Sequence, residues 1–267
     1  MARQVGTVTV ITSSQNPKIK LVRTLLGRAK ERREAGAFVV EGVRLVEEAV
    51  ISNWGFQFAL YDETLSERGK SQVSTLQSQG VDVEMVSENL MKSLSETETP
   101  QGILAVLANS RLPIPDSPDF VLILDQIRDP GNLGTLLRTA AAAGIQAVFL
   151  PPETTDAFAP KVLRSGMGAH FRLPIHSMTW EELRGRTKDL QVYLADMDGK
   201  SCWETNLRQP VALIIGGEAG GASEEAQKLA PQKISIPMSG DIESLNAGIA
   251  GSVLMFEVVR QRQYTDG

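Results

Sequence analysis

Residues 233–256 read KISIPMSGDIESLNAGIAGSVLMF, and this stretch decides how the rest of the chain is understood. Ile234–Ile236 is a β-type run that stops at Pro237, because proline has no N–H to give to a ladder. Polar residues follow, with Gly240 to permit a backbone angle that other residues avoid. After Glu243-Ser244-Leu245-Asn246 comes a helix of small residues: Ala247, Gly248, Ala250, Gly251 and Ser252. Each interior glycine costs a helix roughly 1 kcal/mol relative to alanine. Close approach of another backbone or a ligand is the expected compensation, with a tightly packed core helix as the plain alternative.

Two upstream segments have the same form. Phe120–Leu124 is continuously apolar, as a parallel strand covered on both faces should be. Asp125 ends it, and Arg128-Asp129-Pro130-Gly131-Asn132 reads as a turn before a helix over Leu133–Ala143, stopped by Gly144. Ile145–Leu150 is the next strand. Helical Lys161–Met167 and strands at Phe171–Pro174, Gln191–Ala195 and Val211–Ile215 continue the pattern. The last strand enters Gly216-Gly217-Glu218-Ala219-Gly220-Gly221, and Ser223 caps a helix opening with Glu224 and Glu225. Three strand ends thus carry polar or glycine-rich loops: 129–134, 216–221 and 238–246. Loops at the carboxyl ends of parallel strands form the binding crevice of such sheets. A single loop of this kind would be ordinary turn chemistry, but three in one domain predict a site. No GxGxxG and no GxxxxGK[ST] is present, which disfavours dinucleotides and P-loop nucleotides. Backbone-rich loops with little positive charge suit an adenosine-like ligand.

The first part of the chain is separate. Asn16-Pro17 opens a helical pattern with Ile19, Val22, Leu25 and Leu26 on one face, and strands and helices alternate onward to about residue 107. Residues 109–119, rich in proline, read as a stiff linker. The domains expected are therefore 1–108 and 120–267, both α/β. The chain has 267 residues, 42% of them hydrophobic, enough for two cores. One cysteine, Cys202, and two histidines, His170 and His176, exclude a disulfide framework and a convincing metal cluster. No apolar run could span a bilayer and no signal peptide is evident, so a cytoplasmic protein is expected. The net charge is −5, yet residues 1–33 carry eight bases and one acid, leaving the remainder at −12. A basic segment on an acidic body is an electrostatic footprint for nucleic acid, or else a solvated helix face. Lys18, Lys20, Arg23, Arg32, Arg33 and Arg44 are the candidate RNA-binding residues.

Residues 124–140 (LDQIRDPGNLGTLLRTA), 214–221 (IIGGEAGG) and 234–250 (ISIPMSGDIESLNAGIA) resemble, in order, the three motifs of the SpoU family. These are S-adenosylmethionine-dependent RNA ribose 2′-O-methyltransferases of the SPOUT superfamily. Residues 162–175 (VLRSGMGAHFRLPI) resemble the segment between the first two motifs, and residues 12–107 more loosely resemble the ribosomal-protein-like RNA-binding domain of many members. The resemblance implies a trefoil knot, with the third motif threaded through a loop, and a homodimer whose active site draws on both subunits; the residue content leads to no expected metal. It implies a cofactor contacted by Gly216, Ile236 and Leu245, with Gly217 and Met238 adjacent. It implies catalytic roles for Asn132, Arg138, Glu218, Ser244 and Asn246. Family members usually have a Val-Ser pair after the asparagine where this chain has Ala247-Gly248.

The chemistry refines these roles. A sulfonium methyl is already activated, so the protein must align an in-line attack and favour the nucleophilic hydroxyl. Arg138, the family's proposed base, has a guanidinium without an acceptor, so binding the target phosphate and stabilising the developing alkoxide suits it better. Glu218 either orients Arg138 or accepts the proton. The substrate expected is 23S ribosomal RNA, because a separate basic domain suits a compact rRNA target. Transfer RNA and a non-catalytic ribosome-assembly role are the alternatives. A nicotinamide dehydrogenase ranks last, for want of its glycine fingerprint and ribose-binding acid.

Overall fold

The computed structural model describes residues 10–217, 221–240 and 244–263. They form two compact units, one running to Ser110 and including Phe158–Pro160, the other comprising Arg111–Ala157 and the chain from Lys161.

The first unit contains β1 (Val10–Ile11), α1 (Pro17–Leu26), α2 (Ala29–Ala35), β2 (Ala37–Glu41), α3 (Val43–Ile51), β3 (Phe56–Tyr61), α4 (Glu67–Ser78), β4 (Asp82–Val86), α5 (Glu88–Leu94) and β5 (Ile103–Ala108). Its sheet has the order β1-β4-β3-β5-β2. Strand β5 runs antiparallel to both β2 and β3. Helix α1 starts where Asn16 accepts the Lys18 N–H at 2.8 Å, with Pro17 at the first helical position. Its apolar stripe of Ile19, Val22 and Leu25 is fully buried against Phe58, Leu60, Leu104 and Val106 of the sheet.

The second unit contains β6 (Phe120–Leu124), α6 (Pro130–Ala143), β7 (Ala147–Leu150), α7 (Pro160–Gly166), β8 (Ile175–Ser177), α8 (Trp180–Arg186), β9 (Gln191–Ser201), β10 (Val211–Ile215), α9 (Glu224–Leu229), β11 (Gln232–Ser235) and α10 (Ala247–Gln263). The sheet order is β11-β9-β10-β6-β7-β8, and its strands pair in parallel. All five residues of β6 and of β10 are buried, as their unbroken apolar runs require. From β6 the chain winds one way through β7 and β8; from β10 it winds the other way to β11. The crevice above the carboxyl ends of β6 and β10 is therefore the topological switch point of the sheet, where ligands bind in open α/β folds.

The structure changes some of these readings and bears out one. The expected turn at 128–132 is the start of α6: Asp129 is its N-cap, accepting the Asn132 N–H at 2.8 Å, and Pro130 occupies the first turn. An Asp-Pro pair serves a turn or a helix start equally well, and here the buried face of α6 decides for the helix. The strand expected over Phe171–Pro174 is displaced to Ile175–Ser177, and Ala169–Phe171 is a 3-10 turn. Phe171 and Leu173 are buried, and a short apolar run does not distinguish a strand from a buried turn. Strand β9 extends beyond Ala195 to Ser201, and α8 is a helix that the sequence pattern does not announce. Finally, the small residues of α10 face inward. A Cβ on Gly251 would run into the Leu136 side chain of α6 and lie 3.3 Å from Ile215 Cγ1 of β10. The close approach expected from the two glycines is thus made by a neighbouring helix of the same chain.

Candidate active site

Loop one enters α6 through Asp129, which places Asn132 in the helix's first turn. Its Oδ1 accepts the Asn246 side-chain N–H at 3.0 Å, across 114 positions of sequence. Asn246 Oδ1 in turn accepts the backbone N–H groups of Gly248 (3.0 Å) and Ile249 (3.3 Å). One side chain therefore caps α10 and clamps the third loop to the first. Further along the same two helices, Thr139 and Ser252 hydroxyls meet at 3.0 Å.

The second loop leaves β10 at Gly216 and folds back so that Gly217 bridges Gly221. Ser223 caps α9, and its own N–H is held at 2.7 Å by Oδ2 of Asp125, a carboxylate only 1% exposed at the end of β6. Gly217 passes so near the first strand that a Cβ there would lie 2.5 Å from the Gln126 carbonyl oxygen. Gln126 itself takes the left-handed conformation, φ 53°, which is uncommon for a residue other than glycine. Glu218 lies outside the described residues.

The second and third loops enclose a cleft of about 880 Å³. Gly216, Gly217, Ile236, Met238 and Leu245, the five expected cofactor contacts, all line it, as do Ser244 and Asn246. Aliphatic side chains from Ile215, Ile234 and Leu254 complete the apolar part, and Ala195, Asp196 and Met197 form a wall that sequence reasoning missed. The missed signal was the polar run 196–199 at the carboxyl end of the strand beside β10. Backbone amides and carbonyls among aliphatic side chains fit an adenosyl sulfonium: flat apolar surface for the base, hydrogen bonds for its edge and no cation to repel the sulfur. Asn132 and Arg138 do not line the cleft. Arg138 is exposed on α6 and has no partner among the described residues.

The basic candidates of the first unit separate into two groups. Lys20, Arg23, Arg33 and Arg44 are exposed. Lys18 is engaged with Asp82 and, at 3.1 Å, with Glu84. Arg32 is a correction: it is 4% exposed and donates to the carbonyls of Leu25 (2.7 Å) and Gly27 (3.0 Å). Its guanidinium satisfies carbonyls left over at the end of α1, so it is a structural cap.

Among the described residues no helix is long and apolar enough to cross a membrane. Glycine-rich loops around an adenosyl-sized cleft at the carboxyl ends of neighbouring parallel strands define a nucleotide-cofactor protein of the α/β class. The family follows from comparison: residues 119–256 match the SpoU rRNA Methylase family and residues 16–105 match the MRM3-like substrate binding domain. The chain belongs to the SpoU family. It is 36% identical to the 23S rRNA (guanosine(2553)-2′-O)-methyltransferase of Bacillus subtilis, over 93% of this chain and 98% of that protein. Among solved structures it resembles the SpoU methyltransferase AviRb from Streptomyces viridochromogenes in complex with AdoMet, with TM-score 0.81, 29% identity and coverage of 93% and 99%. It also resembles an AdoMet-bound rRNA methyltransferase from Sinorhizobium meliloti, with TM-score 0.84, 29% identity and coverage of 97% and 99%.

Proposed function

We propose that this protein transfers a methyl group from S-adenosylmethionine to a ribose 2′-hydroxyl of large-subunit ribosomal RNA. The observation that carries the proposal is the cleft itself, in which the ends of β9, β10 and β11 and the second and third loops converge and the five expected cofactor contacts are lining residues. The cofactor supplies an activated methyl on its sulfonium. Gly216, Gly217, Ile236, Met238 and Leu245 hold the adenosyl part. Ser244 and Asn246 orient the target ribose, and Asn132 fixes Asn246. Arg138 binds the adjoining phosphate and stabilises the charge that develops on the 2′-oxygen. Glu218 is assigned the acceptor of the released proton.

Three finer features belong to the same proposal. The third motif threads a loop to make a trefoil knot. The first unit is a ribosomal-protein-like module that binds RNA through Lys20, Arg23, Arg33 and Arg44, and the whole protein works in the cytoplasm with its ribosomes. Two copies associate through α10, whose outer face exposes Ile249 and Phe256 beside Trp203. Dimerisation also accounts for Arg138, which is exposed, does not line its own cleft and would be supplied to the site of a second copy.

Mapping of 2′-O-methyl groups by mass spectrometry, in RNA from cells with and without the protein, tests the function. One ribose methyl should vanish from large-subunit rRNA. Loss from transfer RNA alone would move the substrate, and no loss from any RNA would favour the assembly-factor reading.

A further inference from the structure

We propose that Asp196 is the acceptor that recognises the ribose hydroxyls of the adenosyl cofactor, an inference that rests on the cofactor assignment above. Strand β9 is the parallel neighbour of β10, the strand that feeds the glycine-rich loop. Its pairing with β11 runs through Lys233↔Leu194 and resumes at Ile234↔Lys200. Residues 195–199 therefore have no counterpart on β11 and arch out of the sheet. The arch returns at Gly199, where a Cβ would lie 2.5 Å from the Ile234 nitrogen, so only glycine closes it. Its first three residues form a wall of the cleft.

Asp196 alone among the described lining residues is charged. Its carboxylate is held on both sides: Lys233 Nζ reaches Oδ2 at 2.6 Å, and the Asp198 N–H reaches Oδ1 at 3.0 Å. Each oxygen keeps a second acceptor site. The bond from Lys233, followed by that from Asp198, holds the carboxyl below its usual range, so at neutral pH it is an acceptor only. A fixed, ionised carboxylate at the carboxyl end of the strand beside a glycine-rich loop matches what a nucleoside cis-diol requires, namely two donors shared by one carboxylate. Dinucleotide folds solve ribose recognition with an acid on the strand adjacent to the glycine turn, by the same geometric logic. Among the described lining residues the other groups are neutral and offer no anionic acceptor. Asp196 would then discriminate ribonucleosides from their deoxy counterparts.

The test is calorimetric titration of the full-length protein with S-adenosylhomocysteine and with analogues lacking its 2′- or its 3′-hydroxyl. Wild type should lose roughly tenfold to hundredfold in affinity when a hydroxyl is removed, the size of a charge-assisted hydrogen bond. Asp196→Ala should bind the parent more weakly by a similar factor and no longer distinguish it from the deoxy analogues. Asp196→Asn, which keeps the shape and one acceptor, should retain part of the preference. Lys233→Met should retain most of it, whereas a role limited to fastening the wall would make Lys233→Met and Asp196→Ala alike. Full hydroxyl preference in folded Asp196→Ala overturns the inference while leaving the cofactor assignment standing. Failure of wild type to bind the parent at all overturns the cofactor assignment, and this inference with it.

Discussion

Arg138 and His170 show how differently two charged-type side chains can be used. Arg138 is exposed and lines no part of its own cleft, so its substitution should leave the cofactor's environment intact. Arg138→Ala is expected to lower methyl transfer by roughly a hundredfold or more, the usual cost of removing a group that stabilises developing charge. Cofactor affinity, followed by calorimetry, should change little, and a parallel loss of cofactor binding would show the role to be misassigned. His170 is 1% exposed, with Nε2 2.8 Å from the Ala157 carbonyl oxygen. Burial pushes its pKa down to about 4 from 6.5. Between those values the unfolded chain binds a proton that the folded chain refuses, so this histidine's neutral fit is fully effective above pH 6.5 and is lost as pH falls toward 4. The complete effect is about 3 kcal/mol. His170→Gln, compared with wild type in thermal melts at about pH 7.5 and about pH 4.5, should flatten the acid loss of stability. Equal pH dependence in both proteins would remove His170 as its source.

At the scale of elements, the cleft depends on backbones that approach without side chains between them. Gly217→Ala would set a methyl against the Gln126 carbonyl, which is part of the main chain and does not rotate aside. Overpacking of this sort costs roughly 1–3 kcal/mol. Gly217 lies beyond the end of β10, so the shift should fall on the site rather than on the sheet. The expected result is cofactor binding weakened roughly tenfold or more with a melting temperature lowered by only a few degrees. Unchanged affinity in calorimetry would mean that the loop's approach to β6 does not shape the cofactor site. The contrast with Gly251 is instructive, since a Cβ there meets only the end of the flexible Leu136 side chain and the Ile215 side chain.

For the whole molecule, the charge distribution and the exposed face of α10 carry the remaining expectations. Removing residues 1–108 should leave a cofactor-binding protein that methylates its RNA poorly, because the basic excess is lost and the remainder is acidic. Full-length binding to RNA should weaken steeply with salt, since phosphate contacts release counterions. Undiminished activity of the truncated protein on its cognate RNA would refute the role given to the first unit. Phe256 is 49% exposed and Ile249 54% exposed on α10. Phe256→Glu should convert a dimer to a monomer in light scattering and lower activity with it. A wild-type protein that is already monomeric and fully active would exclude the shared site.

By itself the sequence determined the α/β class, the apolar strands β6 and β10, the three loops and the family, because these depend on local rules. Proline ends ladders, glycine stops helices, an unbroken apolar run needs cover on both faces, and ordered motifs stand in fixed succession. Tertiary structure alone decided what depends on a neighbour distant in sequence. Arg128–Asn132 could be turn or helix start until α6 had a core to bury against. Arg32 looked like one more surface cation until the open carbonyls of Leu25 and Gly27 came within its reach. Asp196 could not be seen as a wall of the cleft, because the arch that carries it exists only where β9 and β11 fall out of register. Local sequence encodes backbone preference and periodicity; which polar groups end up facing the same cavity is a property of the packed chain.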